Sequence, residues 1–223
     1  MNFKALLIGW ICCSLAVVGS AQKKVKAGIV HYVITDVHTE QAGSELLLGS
    51  ELTLSFTKAK SKIELNLLDG AWKSETLFDA DQRVTDRLIA VMGDRYRLQT
   101  PLPPSAVSTD ASTRTILYDE DSQREIAGYV CHKAIITTSN GDKLTAWVTP
   151  KIQPPTGHFS TLFMGLKGFP LEFSVSNDRV IVTFAADEVI RRIDNSVFFV
   201  VGKYEEVSAA EYMERVGMLG LGF

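Results

Sequence analysis

The chain is poor in cysteine: three in 223 residues, two of them, Cys12 and Cys13, within the first 21. It has no large excess of charge, with 23 basic against 26 acidic residues and a formal net charge of −3. A concentrated basic face, which nucleic-acid binding needs, is therefore not expected. Its longest apolar run, from Ala5 to Val18, is shorter than the roughly 18 residues needed to span a bilayer. Neither G-x-x-x-x-G-K-[ST], G-x-G-x-x-G nor G-x-S-x-G occurs, so a phosphate cradle and a serine-hydrolase elbow are unsupported. His31, His38, His132 and His158 are scattered, with no H-x-H or H-E-x-x-H spacing, and no metal or other cofactor is expected. With 46% apolar and 22% charged residues the composition is that of an ordinary folded domain, not of disorder or a coiled coil.

Residues 1–21 have the three-part form of a secretory signal. Lys4 supplies the positive start, residues 5–18 the apolar stretch, and Gly19-Ser20-Ala21 the small residues before cleavage. Removal of this segment leaves Cys131 alone, so no internal disulfide is expected in residues 22–223. The expected setting is the periplasm or outer envelope of a Gram-negative bacterium, with nothing spanning the membrane after cleavage.

The remaining chain reads as strands. Leu52, Leu54 and Phe56 alternate with polar neighbours, as do Ile63, Leu65 and Leu67, and Leu171, Phe173 and Val175. Such alternation puts one face in a core and one in water, the habit of antiparallel sheets. Asn140-Gly141 between residues 129–138 and 143–149 supplies the positive φ angles of a tight hairpin, and Asn177-Asp178 separates another pair. Further strands are expected over 28–36, 72–78, 87–92, 95–100 and 113–118, with 82–92 also readable at helical spacing. The acidic runs 79–81, 119–121 and 187–188 read as solvated turns or strand ends. Ser208-Ala209-Ala210-Glu211 is a capping box that predicts a short helix over 209–216. The spacing near 187–192 allows a second short helix. The sum is one mainly β domain over residues 22–223, a strongly curved antiparallel sheet or open half-barrel with one or two short helices.

Three stretches carry a family likeness: Tyr129-Val130-Cys131-His132-Lys133-Ala134, then Ala146-Trp147-Val148-Thr149-Pro150-Lys151-Ile152, then Gly165-Leu166-Lys167-Gly168-Phe169-Pro170-Leu171-Glu172-Phe173. Together they resemble the GLPGLI family of exported envelope proteins or a sister family. Lys167 stands where that family's first proline would be, and Phe169-Pro170 replaces Leu-Ile. The resemblance implies an envelope setting and a lipoprotein-carrier-like sheet whose concave side holds acyl chains. It implies no reaction.

Candidate ligand-binding residues are Trp147, Phe163, Met164, Gly165, Gly168 and Phe169, read as a groove aromatic and a glycine-hinged apolar segment that either lids the sheet or crosses over tightly against it. Partners expected are a lipid or other apolar ligand, or an envelope protein. Two alternatives compete: an exported hydrolase whose site assembles only in three dimensions, with His158 beside a carboxylate, and a metal- or redox-responsive factor using Cys131. The bland reading of Cys131 is a small buried hydrophobe.

Overall fold

The computed structural model describes residues 23–39, 44–101, 115–137, 141, 143–153, 165–176 and 180–217. The signal-like residues 1–21, Phe163, Met164 and His158 lie outside them.

Local alternation becomes long strands because each buried side chain finds a counterpart on its neighbour. Twelve strands form one open, curved sheet. Strands β1 (Gly28–Thr39), β2 (Glu51–Phe56), β3 (Lys60–Leu67), β4 (Trp72–Asp79), β5 (Val84–Val91) and β6 (Asp94–Pro101) form one meander. Strands β7 (Thr115–Ile126), β8 (Tyr129–Thr137), β9 (Lys143–Thr149), β10 (Phe169–Ser176) and β11 (Val180–Ile190) form a second. Within the sheet the two are joined by the antiparallel pairing of β1 with β11. The two-residue β12 (Glu205–Glu206) lies parallel to β6, and helix α1 (Ala209–Gly217) packs against β6. Among the described residues no helix is long and apolar enough to cross a membrane.

The core lies against one face. Val30, Tyr32, Leu54, Phe56, Val182, Phe184, Phe173 and Ala146 are all buried and adjoin across four strand pairs. The opposite face of β2–β5 carries charge: Lys62 Nζ lies 2.8 Å from Glu64 and 2.7 Å from Glu75, and Lys73 bridges the same two carboxylates. An irregular strap, residues 191–204, includes a 3-10 turn at Asn195–Phe198 that contacts β3, and leads to β12.

Residues 82–92, readable either way, are a tight turn followed by β5, so the strand expected over 87–92 is present and the helical spacing is not realised. Two expectations need correction. No helix occupies 187–192: β11 runs on to Ile190, because Val182, Phe184 and Ala186 bury themselves in step with β1. Asp187-Glu188 are in this strand, beside a register shift with β1. The 119–121 run is also inside a strand, at a bulge where β7 loses register with β8 between Asp119 and Gln123. There Ser122 donates to both Asp119 carboxylate oxygens, a turn folded into the ladder. The capping box is as expected: the Ser208 backbone N–H and hydroxyl both donate to Glu211 Oε2, and Glu211 N–H returns to Ser208 Oγ.

Candidate ligand-binding face

The glycine-rich crossover is bound tightly to the sheet. Gly165 takes φ +85°, where an L residue is strained. A Cβ at Gly168 would sit 3.0 Å from the Thr149 carbonyl oxygen, so the backbone lies directly on β9. Lys167 N–H donates to Tyr118 Oη at 2.6 Å, and its ammonium lies 5.4 Å from the same ring. The described part of the segment, residues 165–168, is thus a close-packed crossover tied to β7 and β9.

The two sequence-selected aromatics among the described residues, Trp147 and Phe169, do not share a groove. Phe169 is 3% exposed, its ring 6.2 Å from that of Phe56, and belongs to the core. Trp147 pairs with Glu172 and points away from the Ala146–Phe173 pair. The Arg124 guanidinium lies 4.2 Å from its ring centre and pairs with Glu172, so the exposed side of the indole is capped.

Cys131 is fully buried in β8, and its thiol donates weakly to the Tyr129 carbonyl at 3.5 Å. Burial, aided by Glu172 and opposed by Arg124, pushes the thiol up to about 12. A reactive cysteine needs the reverse, an exposed and stabilised thiolate. The native protein should therefore resist an aromatic disulfide reagent at pH 8 and react with one equivalent once unfolded in urea. Fast reaction of the folded protein would show this burial to be wrong. Among the described residues no group of three His, Cys, Asp or Glu side chains gathers as a metal site.

The residue that strand reading passed over is Trp72, the first of β4. It faces Leu67 on β3 and Val91 on β5 and is 4% exposed. The next row on this face is Leu65, Ser74 and Ile89, followed across β6 by Tyr96. Helix α1 closes the far side, with Tyr212 buried and Arg215 4.5 Å from the Tyr96 ring. In these apolar surroundings no described residue accepts a hydrogen bond from the Trp72 indole N–H. An unpaired buried donor costs about 1–3 kcal/mol, and native proteins rarely leave one. Its only sequence signal was an indole at an inward position of an alternating strand.

A small cleft of about 290 Å³ lies between the strap and the outer end of β4 and β5, lined by Lys60, Phe78, Asp79, Val84, Asp86 and Phe199 among others. Its charges are already matched: Lys60 bridges Asp79 at 2.9 Å, and Arg97 bridges Asp86 at 2.7 Å.

No protein-family model matches the chain, and no curated protein does. Several solved structures share a distant likeness. Over 84% of this chain, MucB matches with 12% identity and a TM-score of 0.35, and a complex of MucB with MucA(peri) matches over 83% with 14% and 0.34. The lipoprotein LppX of Mycobacterium tuberculosis matches over 74% of this chain and 88% of its own, with 10% identity and a TM-score of 0.37. The chain spans less than two thirds of MucB, 62% and 57% in the two structures.

Proposed function

We propose that this is a non-catalytic binding protein of the bacterial envelope, exported by its N-terminal segment. Its curved sheet holds an apolar ligand that carries one hydrogen-bond acceptor, such as an acyl chain with its ester or carboxyl oxygen. The observation that carries the reading is the buried, unpaired N–H of Trp72 on the apolar face. The face supplies nonspecific attraction for a hydrocarbon chain, proportional to the area it removes from water. The indole donor supplies the single polar contact that orients such a ligand.

Trp72→Phe separates this role from a structural one by sign. Removing an unpaired donor relieves its desolvation cost, so thermal stability of the empty protein should hold or rise. Affinity for a fatty acid or lysophospholipid should fall about five-fold, the worth of one hydrogen bond. Affinities of the parent and of Trp72→Phe, both as residues 22–223, are compared by displacement of a fluorescent fatty acid with palmitate; the emission of Trp72 in a Trp147→Phe background follows palmitate binding to the parent, alongside native mass spectrometry of protein purified gently from its envelope. No saturable emission change and a clean ligand-free mass would overturn the reading.

A further inference from the structure

We propose that the three loop tips at one end of the first meander form a docking surface for a cationic amphipathic segment of a partner polypeptide. The β1–β2, β3–β4 and β5–β6 connections share one end of the sheet because the six strands run alternately up and down. They touch in sequence: Leu68 N–H donates to Ser50 Oγ at 3.4 Å, and Met92 N–H to the Ala71 carbonyl at 3.1 Å. Leu47 turns inward to the core, while Leu46, Leu48, Leu68 and Met92 are 67%, 50%, 39% and 91% exposed. These are four of the large apolar side chains that the described surface leaves in water, carried by three connections that hydrogen-bond to one another. Scattered singly they would mean nothing; grouped on touching loops, they mark an interaction site.

The backbone makes this placement costly. Leu68 and Met92 have φ of +54° and +50°, and Met92-Gly93 is a two-residue hairpin turn with both angles positive. Asn, Asp or Gly fills such positions without strain, whereas Leu and Met are outliers there. A chain folded for stability alone has better residues available at both tips.

Charge selects the occupant. Each tip joins its apolar side chain to an acid: Glu45 beside Leu46, Asp69 beside Leu68, and Asp94 after Gly93, all exposed. Among the described residues Asp69 and Asp94 stand in no ion pair. The nearby cations are engaged elsewhere: Lys73 with Glu64 and Glu75, and Arg95 against the Tyr204 ring at 6.0 Å. Apolar anchors ringed by carboxylates complement a segment with Leu-type anchors and flanking Lys or Arg. An anionic phospholipid surface would meet like charge, which disfavours it. The surface adjoins one end of the Trp72 face, since Leu68 and Met92 follow the Leu67 and Val91 that flank Trp72, but its side chains are exposed and its test uses no apolar ligand.

The experiment uses residues 22–223 and two fluorescent helical peptides, one of Leu and Lys and its Leu and Glu counterpart, followed by anisotropy. The Leu/Lys peptide should bind saturably, more weakly in high salt, and its counterpart should not. Leu68→Asn with Met92→Asn should weaken binding roughly ten-fold while leaving the melting temperature equal or higher. Asp69→Asn with Asp94→Asn should weaken it about five-fold and flatten the salt dependence. Failure of the Leu/Lys peptide to bind, or equal binding of both peptides, would overturn the proposal. So would stronger association with phosphatidylethanolamine–phosphatidylglycerol vesicles that the Asn variants abolish.

Discussion

Replacing Phe173 with alanine lowers the unfolding free energy by about 3–5 kcal/mol, the range for deleting a buried phenyl ring. Phe173 joins three strands. Its ring stacks on Phe184 of β11 at 5.3 Å and 19°, and meets Tyr32 of β1 edge-on at 5.6 Å and 77°. Tyr32 is fixed in turn by donating its hydroxyl to the Pro170 carbonyl at 2.8 Å. Burial holds that phenol well above its ordinary range, so the hydroxyl stays protonated and remains a donor. The cavity left by alanine therefore opens where the two meanders join, and rigid backbone on both sides prevents it from collapsing. For a domain of this size the loss corresponds to roughly 10 °C in melting temperature. Phe199→Ala is the matched control, since its ring is 62% exposed and its removal should change stability by about 0.5 kcal/mol or less. Equal effects of the two substitutions in urea unfolding would contradict this account of the core.

Gly28→Ala should cost about 2–3 kcal/mol despite adding a single methyl group. A Cβ at Gly28 would be driven into the carbonyl oxygen of Ile190, with Val25 Cγ1 3.4 Å away on another side. The obstacle is backbone, so no side-chain rotation relieves it. Relief requires β1 and β11 to separate at the Ile29–Ile190 end of their ladder. Hydrogen exchange should therefore speed up first at that end, and only then elsewhere. A stability change below about 0.5 kcal/mol, with exchange unaltered near residues 28–30, would show that the strands do not approach so closely.

Much of the sheet could be read from single strands, because alternation at Leu52–Leu54–Phe56 or Ile63–Leu65–Leu67 is a local property that folding preserves. The capping box at Ser208 and Glu211 was equally legible, since all its partners lie within one helical turn. What failed was local inference where distant pairing decides. Residues 187–192 carry a weak helical spacing, yet β1 holds them extended through a register shift. Asp119 to Ser122 carry real turn chemistry, but the turn is absorbed as a bulge inside β7. Trp147 was legible as an aromatic in a strand, between Ala146 and Val148, whereas its Arg124 cap comes from β7, two strands away. Trp72 escaped notice because an unpaired N–H is a property of surroundings, and no run of residues spells it.

The seam between β1 and β11 also sets an order in time. Val33 pairs with Ala185, some 150 positions later, whereas every other strand pair within the two meanders links sequence neighbours. Hairpins close in microseconds, but a pairing over such a distance must first overcome a large loop-closure entropy. As the chain emerges amino end first, β1 has one edge matched by β2 while its other edge waits for nearly the whole protein to appear. The last event in folding is then the joining of two preformed halves, and until residue 190 is free the exposed edge of β1 is where a chaperone would have to hold it.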